Sequence, residues 1–305
     1  MFGLPTPHGD KLKALLGNNK LPLKDRPRVE QAIERYQHWL GQLADATDTP
    51  EQTIRSMVFL LAEYKFYVDV ELVFDDSEDF LYRQKGQLKL DNTVIEEFLP
   101  ILVTSVFRDE LENHGLSLGP TKSFAGVWFE SGIRKKLAGG GIQIRSKDQD
   151  FAISRPLFIR ASHFPDFHDE VSHETSIAYV AAECKTNLDK TMFQEAVATA
   201  RDIKTCVPTA KYYLICEWLD MTPINTALTP IDEVIILRKC KRISSNIRQH
   251  FSTPEGRKRY RESYVEHLRA CPLSPDSFSR FLDHVRELVR NDHLAEHEVL
   301  NQGYF

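Results

Sequence analysis

Apolar residues recur at helical spacing through the first quarter of the chain. Leu12, Leu15 and Leu16 make a short apolar face, which Pro22 and Pro27 interrupt. Val29, Ile33, Tyr36 and Leu40 share one side of the segment from 29 to 40 and predict an amphipathic helix. A further helix is expected from Thr49-Pro50-Glu51, with Thr49 as N-cap and Pro50 in the first turn. It should end before the dense apolar run from Phe66 to Phe74, which reads as extended chain. Residues 1–75 thus read as an N-terminal helical region.

The pattern then changes. Asn92-Thr93 opens a helix whose buried face is Ile95, Phe98, Leu99 and Leu102. Gly139-Gly140-Gly141 allows a tight turn, or a close approach of backbone to a ligand, ahead of a strand at Ile142. Asp150 begins a short apolar run, and Ile177 to Ala182 forms another. Asp189 is a suitable N-cap for a helix through Lys204, in which Phe193, Val197 and Ala200 recur at helical spacing, as do Met192, Ala196, Thr199 and Ile203. A strand from Lys211 to Glu217 follows directly. Strand, helix, strand is a βαβ-like unit, so residues 76–220 read as an α/β core. Residues 221–305 form a basic, mostly helical region packed on that core. It breaks at Pro272 to Pro275 and closes with an amphipathic helix whose Phe278, Phe281, Leu282, Val285 and Leu288 face inward.

Composition narrows the class. The chain has 305 residues and 42% hydrophobic content, with no low-complexity tract or repeat of fixed period. The first residues lack the basic-then-apolar pattern of a signal peptide, and no apolar run is long enough to span a bilayer, so no membrane association is expected. Five cysteines without a close pair argue against a zinc site and a disulfide framework, and fit a reducing cytoplasm. The net charge of −5 is an average, whereas a polyanion responds to the local field. Between Arg238 and Arg261 there are nine Lys or Arg residues and one acid, Glu255, which is a candidate phosphate-tracking stretch or a solvated helix face.

The candidate chemistry lies at the end of the Ile177–Ala182 run. Alternation along a strand places Glu183 and Lys185 on one face and Cys184 on the other. If the strand opened by Asp150 is its neighbour, two carboxylates and an ammonium converge. Such a set can hold Mg²⁺, which prefers oxygen ligands and keeps several waters. The ion can activate water for phosphodiester hydrolysis, and Lys185 can orient or deprotonate that water and offset the developing charge. The dense His and acid segment from His163 to His173 matches no trusted zinc spacing and reads as a polar loop. No Gly-x-Ser-x-Gly elbow supports a serine hydrolase, and no Lys-Ser/Thr pair completes a phosphate-binding NTP loop after the glycines.

Asp150, Glu183 and Lys185 resemble the catalytic set of the PD-(D/E)XK nuclease superfamily, although Gln149 stands where the name-giving proline would be. The strings from Tyr82 to Asn92, Ile95 to Pro100 and Glu183 to Met192, with Leu21-Pro22 and Arg28-Val29-Glu30, look like type II restriction endonucleases of the BbvCI kind. The resemblance implies a PD-(D/E)XK core, a mixed central sheet flanked by helices, here with additional N- and C-terminal helices. It implies a Mg²⁺-dependent, site-specific double-stranded DNA endonuclease of the prokaryotic cytosol, with Asp150 and Glu183 as metal ligands. It also implies a supporting glutamate on the preceding helix, for which Glu97 is the first choice and Glu96 the fallback. Arg83, Lys85, Lys147, Asn187 and Lys190 are candidate DNA contacts, together with Arg257, Lys258 and Arg259 of the basic stretch. Two active sites are needed to cut two strands, so a homodimer or a heterodimer with a related subunit is expected. The alternatives are a recognition subunit that does not cut, and a repair or phage-defence nuclease on the same core.

Overall fold

The computed structural model describes residues 3–46, 48–111, 115–290, 300, 301 and 303. Its centre is a sheet of five strands in the order β1-β2-β3-β4-β5: Ser117–Phe129, Ile142–Ala161, Val171–Leu188, Lys211–Leu219 and Glu233–Ile236. The pairs β1–β2 and β2–β3 are antiparallel, while β3–β4 and β4–β5 are parallel. The sheet is therefore mixed, and its fifth strand lies beyond residue 220.

Helix α6, Lys190–Cys206, makes the crossover from β3 to β4, and the Asp189 carboxylate caps it by accepting the Met192 N–H at 2.9 Å. Phe193, Ala196, Ala200 and Ile203 are its buried residues. Phe193, Ala196 and Ala200 pack with Ala152, Ala181, Tyr212 and Leu214 on one side of the sheet. The other side carries the larger core. There Phe151, Ile153, Val180, Ala182, Tyr213 and Ile215 share one core with α1 (Pro7–Leu16), α2 (Arg26–Asp45), α3 (Pro50–Phe66), α5 (Thr93–Leu111) and α9 (Pro275–Arg290). Helices α5 and α9 lie against the strands, and the N-terminal helices pack on them and extend the same core.

The run from Tyr67 to Phe74 is not extended. It continues α3 as a π-helical segment, and all its residues except Glu71 are buried. A continuous apolar run has no period by which strand and helix can be distinguished. Helical spacing is fixed instead by Lys65, whose Nζ lies 3.0 Å from an oxygen of Asp69, one turn on. The Thr49 side chain does not cap α3, although Pro50 does occupy its first turn.

Gly139, Gly140 and Gly141 all have positive φ and lead into β2. A Cβ at Gly139 would lie 2.7 Å from the Ala161 carbonyl, so the turn packs against the far end of β2. The loop between β2 and β3 is closed by Asp169, which accepts from the Ser162 hydroxyl and, at 3.1 Å, from the His163 N–H.

Candidate active site

The register of β2 against β3 brings the sequence-predicted residues together. Phe151 pairs with Ala182, so the next positions outward are Asp150 and Glu183. Asp150 Oδ2 accepts the backbone N–H of Cys184 at 2.8 Å, and Lys185 Nζ lies 2.5 Å from Glu183 Oε1. The Tyr212 hydroxyl, from β4, donates to Glu183 Oε2 at 3.3 Å. Cys184 is buried on the opposite face, where burial pushes its thiol well above the ordinary range.

The charges at this centre oppose and support one another. Burial raises the Asp150 carboxyl, partly offset by the Cys184 N–H and the Lys185 ammonium. Burial works against the Lys185 charge, but the hydrogen bond to Glu183 and the charges of Glu183 and Asp150 together hold the amine above its usual range. Lys185 is therefore an ammonium at neutral pH.

Glu96 and Glu97 take different roles. Glu97 is only 1% exposed, and its carboxylate accepts from His8 N at 2.8 Å, Gly9 N at 3.2 Å and the Tyr36 hydroxyl at 2.5 Å. It anchors the start of α1, and its hydrogen bonds lie with α1 and α2 and not with Asp150, Glu183 or Lys185. Glu96 is pushed up to about 7, by burial first and then by the nearby Asp150 carboxylate. The glutamate beside Asp150 is thus the fallback residue, because the α5 core face turns Glu97 towards α1 and α2.

Two residues that spacing did not single out tie α5 to β3. Asn92 donates its amide to Glu96 Oε1 at 2.6 Å and to the Cys184 carbonyl at 3.1 Å. Asp91 Oδ2 accepts from the Thr186 hydroxyl at 3.2 Å. Both neighbours of Lys185 are therefore held by consecutive residues at the entry to α5. In sequence, Asp-Asn before an apolar periodic run signals a helix start and nothing more.

An open cleft of about 500 Å³ adjoins the centre. Arg83, Lys85 and Asn187, three of the proposed DNA contacts, line it together with Lys89, Lys185 and Arg242. Arg83 and Lys85 belong to α4 (Phe80–Gln87). Lys190 is exposed at the start of α6, while Lys147 pairs with Asp202 at 3.2 Å. Lys258 and Arg259 are exposed on α8, Pro254–Ala270.

Arg257 is inside the protein, which corrects its reading as a DNA contact. It is 1% exposed, reaches Asp79 Oδ1 at 3.2 Å, and donates to the carbonyls of Phe251, Asp76 and Glu78 at 3.0, 3.0 and 2.5 Å. Its guanidinium ties α8 to the turn before α4. Arg238 is likewise buried, with Nε 2.7 Å from Glu217 Oε1 and Nη1 donating to the Cys271 carbonyl at 2.7 Å. The basic stretch therefore mixes structural and exposed cations, which a count of charges cannot separate.

Among the described residues no group of three or more His, Cys, Asp or Glu side chains is arranged to hold a metal. The donor set nevertheless fits Mg²⁺. Two adjacent carboxylates from β2 and β3 suffice for an ion that keeps most of its water. Burial raises both Asp150 and Glu96, and a neighbouring carboxylate adds to it in each case, Glu183 for Asp150 and Asp150 for Glu96; a cation relieves that imbalance.

Comparison with known proteins gives the same picture. No curated protein matches the sequence. The fold is similar to that of a chain in the native BbvCI A2B2 tetramer, with a TM-score of 0.57 and 20% identity, over 84% of this chain and 93% of that one. The model of the Bpu10I restriction endonuclease family matches residues 87–305, which include α5, the whole sheet, α6, the short α7 (Ser245–Arg248), α8 and α9. With the mixed sheet and the converged carboxylates already in place, that match makes the chain a member of the Bpu10I restriction endonuclease family, and so a type II site-specific deoxyribonuclease.

Proposed function

We propose that this chain hydrolyses phosphodiester bonds of double-stranded DNA at a defined sequence, with Mg²⁺, in the bacterial cytoplasm. The observation that carries the reading is the convergence of Asp150, Glu183 and Lys185 beside a cleft lined with Arg83, Lys85, Lys89 and Arg242. The cleft offers cations to a phosphate backbone, and the carboxylates offer oxygen ligands. The free thiols of Cys184, Cys206, Cys216, Cys240 and Cys271 are consistent with a reducing compartment.

Asp150 and Glu183 would hold the ion, with Glu96 in support. Bound there, Mg²⁺ would polarise the scissile phosphate and lower the pKa of water. The Cys184 N–H fixes Asp150, and the Tyr212 hydroxyl fixes Glu183, so both carboxylates are oriented before substrate arrives. Lys185, held beside Glu183 by their ion pair, would offset negative charge developing on the phosphate.

One such centre cuts one strand. The A2B2 composition of BbvCI supports an assembly of this chain with itself or a related subunit. A heteromeric partner suits an asymmetric site. A subunit that only recognises DNA is the weaker reading, because Asp150, Glu183 and Lys185 are all present and converge at neighbouring strand positions.

The test is digestion of plasmid DNA with Mg²⁺, by the chain alone and with any related subunit encoded beside it, followed by sequencing of the ends. Defined ends that vanish in Lys185→Ala support the proposal. No cleavage by any combination, or cutting unaffected by Lys185→Ala, rejects it.

A further inference from the structure

Lys89 lies in the bend between α4 and α5 with a φ of +53°, in the left-handed region. A bend just past a helix end ordinarily takes Gly or Asn there, because a Cβ in that conformation crowds the following carbonyl. The backbone at this point supports the fold, since the Lys89 carbonyl accepts the N–H groups of Asn92 and Thr93, each at 3.0 Å, and so starts α5. That role needs the bend and makes no use of a lysine side chain. A long cationic residue where glycine would fit better points to work done by the side chain itself.

The side chain is exposed and lines the cleft with Lys185, Asn92 and Asn187. The other cations of that cleft are committed within the protein. Lys85 pairs with Asp91 at 3.4 Å, Lys185 with Glu183 at 2.5 Å and Arg242 with Asp220 at 3.4 Å, while Arg83 donates to the Asp79 carbonyl at 3.1 Å. Lys89 has no ion pair among the described residues. Its charge is nonetheless felt at the centre, where it favours the ionised forms of both Asp150 and Glu96 against burial.

We propose that Lys89 is a further substrate-binding residue, whose ammonium contacts the DNA phosphate seated at the Asp150–Glu183–Lys185 centre. The assignment rests on the reading of that centre as a DNA-cutting site. It predicts a division of labour: Lys185 is tied to the carboxylate it serves, and Lys89 stays free until the polyanion enters. The exchange of backbone strain for a charge also predicts that stability and function separate at this position.

The experiment compares wild type with Lys89→Gly, Lys89→Gln, Lys89→Arg and Lys185→Ala. Melting temperature, single-turnover cleavage of plasmid DNA, and binding of a short duplex from the cut region in metal-free buffer at several salt concentrations are measured. Lys89→Gly is expected to melt at or above the wild-type temperature while cleaving roughly 10- to 100-fold more slowly, the loss of a cation that meets the reacting phosphate. Its slope of log affinity against log salt should be shallower by about one. Lys89→Gln should share the functional loss, and Lys89→Arg should stay within a few-fold of wild type. Wild-type cleavage and salt slope in both Lys89→Gly and Lys89→Gln would overturn the proposal. So would a fall in melting temperature in both that accounts for the lost cleavage, since it would assign Lys89 to the fold. If Lys185→Ala removes cleavage while the Lys89 variants cut normally, only this assignment fails. If wild type and Lys185→Ala behave alike, the reading of the whole centre fails with it.

Discussion

Glu96 and Glu97 are adjacent in sequence and serve opposite sides of α5. Glu96 shares the Asn92 amide and feels the Asp150 charge, whereas Glu97 accepts three hydrogen bonds from α1 and α2. One helical residue is a rotation of about 100°, which separates a catalytic neighbour from a structural anchor. Glu96→Gln should therefore slow cleavage with little loss of melting temperature. Glu97→Ala should leave buried donors at His8, Gly9 and Tyr36 unpaired, at about 1–3 kcal/mol each. Cleavage and chemical denaturation of the two variants check this, and equal effects on both readouts would reject the division.

Asp150→Ala, Glu183→Ala and Lys185→Ala should each reduce cleavage on the order of 10²- to 10⁴-fold, since each removes a metal ligand or the charge facing the reacting phosphate. DNA binding should persist, because Arg83, Lys85, Lys89 and Arg242 remain in place in all three variants. Near-normal turnover in any one of the three variants would remove that residue from the centre.

Chelation should abolish cutting, and Mg²⁺ should restore it. Ca²⁺ should permit binding without turnover, because it accepts oxygen ligands but activates water poorly. Cleavage in excess chelator would contradict this.

The basic stretch should divide by burial. Arg257→Ala removes a guanidinium that satisfies three carbonyls and pairs with Asp79, and should destabilise the fold by about 3 kcal/mol. Lys258→Ala with Arg259→Ala should leave stability within about 0.5 kcal/mol. If α8 meets DNA, the double variant also lowers the salt slope by about one for each phosphate it no longer neutralises. An unchanged slope assigns Lys258 and Arg259 to solvated surface.

His8 predicts an acid-side loss of stability. Its ring is buried, and the Thr93 hydroxyl donates to the Leu90 carbonyl at 3.3 Å. That hydroxyl oxygen can then accept from Nδ1–H at 3.1 Å, leaving Nε2 to accept from the Tyr64 hydroxyl at 2.8 Å. Burial first, and then the Lys65 charge, lower the imidazole to about 3. Below the unfolded value of about 6.5 the unfolded chain binds a proton that the folded chain refuses, so stability falls as pH falls. The slope should approach about 1.4 kcal/mol per pH unit between about pH 6 and 4. Glu217 adds to the loss lower down: burial opposes its charge, but Lys65 and Arg238 hold its carboxyl below the usual range, so its contribution fades as pH drops through that lowered value. Denaturation across pH for wild type and His8→Gln measures the His8 part, and an unchanged slope in the variant would refute it.

Much of the candidate centre was legible in one dimension. Glu183 and Lys185 share a face because a strand alternates, and Asp150 heads its own apolar run; these facts need only local geometry. The helices α2 and α6 and the closing helix α9 follow from apolar periodicity, and the Asp189 cap from its position. What only the tertiary structure decided was direction and pairing. Periodicity identifies the buried face of α5 without saying that Glu97 meets α1 while Glu96 meets Asp150. The segment from 67 to 74 is largely apolar, so its helical form was set by packing and by the Lys65–Asp69 pair. Arg257 and Lys258 are equal as charges in a sequence, and opposite in role, because desolvation depends on neighbours far along the chain: Asp76, Glu78 and Asp79 surround one and water the other. The sequence determined which groups alternate and recur locally; long-range contacts determined which of them became buried supports and which were left free to meet a substrate.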